Sequence, residues 1–231
     1  MIKAIYFDLD GVLFNRNEAE KTTLEYINNY YLNTIVNNKL LEYWKCINLK
    51  LWNQCNNRNI TAEKVLIKRW SEMIDIIGLK KQISPEELSE IYIEKYTDPI
   101  YKIDLTHILD KLKVENYCML IITNGVKRIQ KLKINKMNLT KYFDYIITDE
   151  DSGYRKPDVR MFEYALSLHK IKNNEVIYIG DSYPDDIVPA QNLSITAILY
   201  GSNSIDNKNP FFYKADNETN LQIILKELLR Y

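Results

Sequence analysis

The chain carries no excess of charge, no membrane-length apolar run and few cysteines. Lys+Arg and Asp+Glu are both 31 in 231 residues, so the net charge is zero. No long run of one sign occurs. Nonspecific nucleic-acid binding, which rests on many basic phosphate contacts, is therefore not expected. The three cysteines, Cys46, Cys55 and Cys118, are an odd number without metal-ligand spacing. Cys118 lies in an apolar run and reads as a small buried hydrophobe in a reducing compartment. Residues 1–14 are apolar but broken by Asp8 and Asp10, which argues against a signal peptide or membrane span. Without a secretory signal, the sequons at Asn59, Asn138, Asn192 and Asn217 read as accidents of an Asn-, Lys- and Ile-rich composition. A cytoplasmic protein with no membrane partner is expected. Repeats and low-complexity linkers are also missing.

What is present is enough chain to bury one large core, with or without an insertion. Strand-like runs of Ile, Val, Tyr and Phe fall at about 3–9, 117–122, 142–148, 176–180 and 195–199. Helical stretches at about 126–137, 158–169 and 185–192 separate the later ones. This alternation predicts an α/β fold: a Rossmann-like parallel sheet with helices on both faces. Right-handed crossovers would bring the strand C-termini to one edge. Lys127, Arg128, Lys131 and Lys133 read as the wet face of one of these helices.

Residues 15–100 show helical periodicity and no convincing strand. Leu24, Ile27, Tyr31 and Ile35 recur at helical steps, as do Val65, Arg69, Met73 and Ile76 beside Leu66, Trp70 and Ile74. Ser84-Pro85-Glu86-Glu87 spells a capping box with proline at the first helical position. The expected organisation is a core of residues 1–14 and 101–231, with 15–100 inserted as an all-helical cap. Trp44, Trp52 and Trp70 are expected in the cap's own core.

Polar residues stand where the strands run out. Asp8 and Asp10 follow the first strand, and a period of two puts both on one side of an extended backbone. An Asp there can attack phosphorus, and a second carboxyl can protonate the leaving alcohol and later activate water. Gly11 lets the backbone leave the strand. Thr123 offers a hydroxyl, and the amides of Asn124 and Gly125 lie at a strand-to-helix turn suited to an anion. Lys156, chosen over its neighbour Arg155, precedes Pro157 and a helix, and can offset negative charge. Asp181 ends an apolar strand, where an acid is costly unless paired or holding a metal. Of Asp185 and Asp186, adjacent in a helix, only one should face the site; Asp186 is preferred.

Four carboxylates gathered to receive a phosphate dianion need a cation. Each like-charge pair ~4 Å apart costs about 4 kcal/mol at an effective dielectric of ~20. One lysine cannot offset that, whereas Mg2+ binds through one or two carboxylates, water and substrate phosphate. Mg2+ is therefore expected as cofactor.

In order and spacing these segments resemble the haloacid dehalogenase superfamily over essentially the whole chain. Phe7-Asp8-Leu9-Asp10-Gly11-Val12 is similar to its first motif and Thr123-Asn124-Gly125 to its second. Lys156-Pro157-Asp158 is similar to the third, and Gly180-Asp181-Ser182 through Asp186 to the fourth. The resemblance implies Asp8 as nucleophile, Asp10 as general acid/base and Lys156 orienting the nucleophile. It implies Mg2+ on the Asp8 carboxylate, the Asp10 backbone carbonyl and Asp181, with Asp186 supporting. Thr123 and Asn124 would bind phosphate, with Gly125 beside them.

The helical insert resembles the family's first cap class, which admits small soluble substrates. Dehalogenases of the family lack a second aspartate like Asp10, and phosphonatases replace it, so phosphoryl transfer is expected. The expected activity is a Mg2+-dependent phosphomonoester hydrolase for a small metabolite, such as a nucleoside monophosphate or sugar phosphate. The alternatives are a phosphoglucomutase-like phosphomutase and a catalytically idle binding or regulatory module. Asn15, Arg16, Trp44, Arg58 and Arg69 are the candidates for substrate choice.

Overall fold

The computed structural model describes residues 1–33, 37–57, 59–78, 83–201 and 209–229, without the side chains of residues 37 and 38. Ile35 and Arg58, singled out above, lie outside the described residues. The elements in chain order begin with β1 (Ala4–Phe7), α1 (Arg16–Ile27), α2 (Asn37–Asn56), α3 (Ala62–Ile77), α4 (Pro85–Tyr96) and α5 (Thr106–Val114). Next come β2 (Cys118–Ile122), α6 (Lys127–Lys136), β3 (Tyr145–Ile147), α7 (Asp149–Ser152) and α8 (Val159–His169). The chain closes with β4 (Val176–Gly180), α9 (Val188–Asn192), β5 (Thr196–Tyr200), β6 (Phe212–Ala215) and α10 (Glu218–Leu229). It divides into two compact units, Met1–Arg16 with Lys102–Tyr231, and Asn17–Tyr101.

The first unit is built on a parallel six-stranded sheet of order β3-β2-β1-β4-β5-β6. Strand order reverses between β1 and β4, the crevice where such sheets place ligands, outside the strand C-termini. On one face Ala4 and Tyr6 of β1 pack with Leu120, Ile122, Tyr178 and Leu199, under Met161, Phe162 and Ala165 of α8 and Ala190 of α9. The alternate residues Ile5, Phe7, Ile121, Ile179 and Ile198 are also fully buried. Both faces are thus covered, which is why the strands read as unbroken apolar runs. β6 was not expected: its four residues Phe212-Tyr213-Lys214-Ala215 carry a lysine on an edge and leave only Ala215 buried. α8 starts one step later than anticipated. Asp158 caps it by accepting from the Arg160 N–H, so Pro157 precedes the helix.

The second unit is helical, α2 to α4 with most of α1. Trp44 and Trp70 are fully buried with ring centroids 4.7 Å apart, while Trp52 is half-buried. The capping box at Ser84 forms as spelled, with Glu87 returning its carboxylate to the Ser84 N–H. The periodicity of α1 breaks at a π-helical turn over Asn28–Leu32, so Leu32 is buried where Tyr31 was expected. A turn closed by i→i+5 bonds spans one more residue than an α-turn and shifts the apolar stripe. In α3 the stripe Val65, Leu66, Arg69, Trp70, Met73, Ile74 is buried, but Ile76 is exposed. Among the described residues no helix is long and apolar enough to cross a membrane.

Candidate active site

Asp8, Asp10, Thr123, Asn124 and Asp181 stand at or just beyond strand ends, whereas Lys156 lies in the loop between α7 and α8 and not where a strand runs out. Asp8 continues the β1 ladder by one backbone bond, its N–H donating to the Ile179 carbonyl (2.8 Å). Asp8, Asp181 and Asp186 converge: each places a carboxylate oxygen within 4.8 Å of the others'. Asp186, not Asp185, joins this group: both lie on the π-helical turn Tyr183–Ile187, and of the two only Asp186 is on its buried side. Its carboxylate accepts from the Ser182 N–H (3.0 Å) and the Tyr178 hydroxyl (2.7 Å). Asp185 instead accepts from the Ser182 hydroxyl (3.3 Å).

Close packing of these acids needs glycine at two neighbours. Gly11 has φ +98°, and a Cβ there would lie 2.0 Å from Asp181 Oδ2. A Cβ on Gly180 would lie 2.4 Å from the Asp186 Cβ.

Lys156 is the cation of this group. Its ammonium donates to Asp8 Oδ1 (2.8 Å), Asp186 Oδ1 (2.6 Å), the Tyr178 hydroxyl (3.1 Å) and the Ile122 carbonyl (3.1 Å). The side chain is held from behind. The Asn124 amide donates to the Lys156 carbonyl (2.9 Å) and accepts from the Lys156 N–H (2.8 Å), a reciprocal pair tying the loop after β2 to the loop before α8. Arg155 turns elsewhere, to Asp149 (2.6 Å) and the Asn124 carbonyl (2.9 Å).

Asp10 is claimed by partners that the sequence reading placed in solvent or did not mention. Lys133 is 1% exposed, not on a wet face, and its ammonium meets Asp10 Oδ1 at 2.5 Å and stands 4.2 Å from the Phe14 ring centroid. Gln130 donates to Asp10 Oδ2 (2.7 Å) and to the Thr123 hydroxyl (2.7 Å), which also accepts from the Gly125 N–H (3.3 Å). Lys131 and Arg128 of the same stretch are exposed as expected. A signal for the pair existed: Gln130 and Lys133 fall inside the apolar stripe Val126, Ile129, Ile134, Met137 that runs along α6 and its two cap residues, where a polar residue must find a buried partner. Tyr178, mid-strand in β4, carried no comparable signal.

Burial pushes the Asp8 carboxyl up to about 8, an effect that Lys156 offsets only in part and the Asp186 and Asp10 charges reinforce. Burial and the Asp186 charge raise Asp181 to about 6. Burial also opposes ionisation of Asp10, but the Lys133 ammonium and the Gln130 hydrogen bond outweigh it and hold the group below its ordinary value. Lys156 is desolvated too, and the charges of Asp186 and Asp8 keep it firmly protonated. Asp10 and Lys133 therefore balance, while Lys156 pairs with both Asp8 and Asp186, and the Arg16 and Lys156 charges offset the rise of Asp181 only in part. That excess of hard oxygen donors fits a cation such as Mg2+.

Of the candidates for substrate choice, Asn15 and Arg16 are exposed and belong to the first unit. Trp44 and Arg69 are buried within the second, with the Arg69 guanidinium 4.5 Å from the ring centroids of both Trp44 and Tyr92.

The family model described as "Haloacid dehalogenase-like hydrolase" matches residues 5–200. A glyceraldehyde 3-phosphate phosphatase of Methanothermobacter thermautotrophicus is 25% identical over 210 residues, 87% of either chain. The pyrimidine 5'-nucleotidase PynA of Streptococcus pneumoniae is 25% identical over 208 residues, 89% of this chain and 86% of that one. Among solved structures, the magnesium-bound HAD-hydrolase YfnB of Bacillus subtilis superposes with a TM-score of 0.80 at 22% identity, covering 97% of this chain and 99% of that one.

Proposed function

The chain belongs to the haloacid dehalogenase-like hydrolases, and from that premise we propose that it is a Mg2+-dependent phosphatase that hydrolyses a small phosphomonoester through an aspartyl-phosphate. The observation that carries the reading is the convergence of the Asp8, Asp181 and Asp186 carboxylates at the β1/β4 crevice, with Lys156 paired to Asp8 and Asp186. The relatives named as phosphatases and nucleotidases support the substrate class.

In this reading Asp8, Asp181 and the Asp10 backbone carbonyl hold Mg2+, with Asp186 in support. Bound there, the ion keeps Asp8 ionised and screens the incoming dianion. Thr123 and the backbone amides of Asn124 and Gly125 receive the phosphate oxygens. Lys156 fixes one Asp8 oxygen, leaving the other to bond to phosphorus as the P–O bond to the alcohol breaks. Asp10 gives its proton to that leaving oxygen, then takes one from the water that cleaves the aspartyl-phosphate. Lys133 and Gln130 store Asp10 as an anion before substrate arrives; the dianion's entry raises it, and it takes from solvent the proton that it then gives to the leaving oxygen. The unit Asn17–Tyr101 takes the role of cap and the remainder that of catalytic core.

The test is phosphate release from a panel of nucleotides, sugar phosphates and small acyl or polyol phosphates, with Mg2+ and with EDTA. The expected result is metal-dependent release from one chemical group, abolished in a folded Asp8→Asn variant. Undiminished release by Asp8→Asn, or an isomerised sugar phosphate as main product, would overturn it. Inertness across the panel, with no beryllofluoride adduct on Asp8, would favour a binding module.

A further inference from the structure

At the opposite edge of the same sheet a second group of metal-binding atoms meets. Cys118 opens β2, Asp144 immediately precedes β3 and His169 closes α8. Each offers one ligand atom within 4.8 Å of the other two. They lie at the N-terminal end of β2 and β3, whereas the carboxylate cluster stands beyond the C-terminal ends of β1 and β4.

His169 points to what this group does. Its side chain is 8% exposed, and its Nε2 is buried with no hydrogen-bond partner among the described residues, 3.8 Å from Asp144 Oδ2. A buried ring nitrogen without a partner is costly. The other nitrogen, Nδ1, lies 3.2 Å from the Tyr6 hydroxyl, which donates to the Ala165 carbonyl (3.4 Å). In the tautomer that carries its proton on Nδ1 and donates it to Tyr6, whose own proton goes to Ala165, the Nε2 lone pair is on the side of Asp144 and Cys118. Metal-bound histidines are oriented in this way by a partner on the second nitrogen. Asp144 is anchored too, accepting from the Met119 N–H (3.1 Å), and is 39% exposed, which opens a path from solvent.

We propose that Cys118, Asp144 and His169 bind a borderline divalent transition ion of the Zn2+ class, with water as fourth ligand, independently of the Mg2+ carboxylates. Sulfur, imidazole and carboxylate together suit Zn2+ far better than Mg2+. A tetrahedral ion with bonds of 2.0–2.3 Å has ligand–ligand edges of about 3.3–3.7 Å. The His169–Asp144 separation of 3.8 Å is already close to that, and small side-chain rotations close the rest.

The test is titration of chelator-treated protein with Co2+ while saturating Mg2+ occupies the carboxylates. The expected result is a single equivalent with a thiolate-to-cobalt charge-transfer band and tetrahedral visible bands. The band should persist in Asp181→Asn and vanish in Cys118→Ser. Tyr6→Phe keeps the ring and the fold but removes the orienting hydroxyl, and should weaken affinity roughly 10- to 100-fold. Zn2+ should displace Co2+ and raise the unfolding midpoint of the wild-type protein but not of Cys118→Ser. No charge-transfer band, a band that survives in Cys118→Ser, or unchanged affinity in His169→Gln would overturn the proposal.

Discussion

Lys133 and Asp10 form a buried ion pair, with Nζ 2.5 Å from Oδ1 and only 1% of the lysine side chain exposed. Removing one partner of such a pair strands the other and costs ~3–5 kcal/mol. Lys133→Met should therefore destabilise the protein by about that amount, and the double variant Lys133→Met/Asp10→Asn should recover most of it. Urea unfolding of the two variants measures the coupling. Turnover of Lys133→Met should fall by roughly 10²-fold or more, the scale of one acid–base group. Wild-type stability and rate in the single variant would show that the pair matters to neither.

The carboxylate cluster predicts how stability follows pH and Mg2+. In the metal-free protein burial raises Asp181 to about 6 and Asp8 to about 8. A carboxyl raised in the folded state contributes stability that is full below its unfolded value near ~4 and is lost as pH rises through the folded value. His169, lowered chiefly by burial, works in the other direction only below its ordinary value of about 6.5. Between about pH 6.5 and pH 8 the EDTA-treated protein should thus lose stability. Mg2+ binds the ionised carboxylates and should restore it, by ~2.7 kcal/mol at about 100 times its Kd. Thermal melts with and without Mg2+ at both pH values check this; a Mg2+ shift no larger at the higher pH contradicts it.

Gly11→Ala should damage metal binding more than fold. The new Cβ would lie 2.0 Å from Asp181 Oδ2, at a backbone φ of +98°. The backbone cost is about 1–2 kcal/mol, whereas the clash forces the Asp181 carboxylate to move. Mg2+ titration by calorimetry should show weaker binding in a variant that remains folded. Unchanged affinity would mean that Asp181 is not a ligand.

Arg69 offers a test confined to the helical unit. Its guanidinium lies 4.5 Å from the ring centroids of both Trp44 and Tyr92 and is 5% exposed. Desolvated cation–π contacts are worth ~2 kcal/mol, and the stem adds packing. Arg69→Ala should cost about 2 kcal/mol or more, and Arg69→Met, which retains volume, clearly less. Equal losses in chemical denaturation would assign the effect to charge and not to packing.

The chain of apolar runs and terminal acids determines much of this protein by itself. β1, β2, β4 and β5 are legible because strands buried on both faces must be apolar throughout. Asp8, Thr123 and Asp181 stand out because a polar residue ending such a run is expensive without a purpose, and Lys156 by its place before Pro157. The capping box at Ser84 is local chemistry, complete within four residues, and forms as spelled. Tertiary structure decided what depends on partners distant in sequence. Lys133 looks like one more surface lysine until Asp10, 123 residues away, supplies its counter-charge. Tyr178 becomes a donor to Asp186 only because the turn after β4 folds back over it. Cys118, Asp144 and His169 show no ligand spacing along the chain. They meet because a strand start, the approach to its neighbour and the end of a covering helix share one edge of the sheet. Burial and charge pairing are properties of position in space, and a one-dimensional pattern carries them only where the partners are near in sequence.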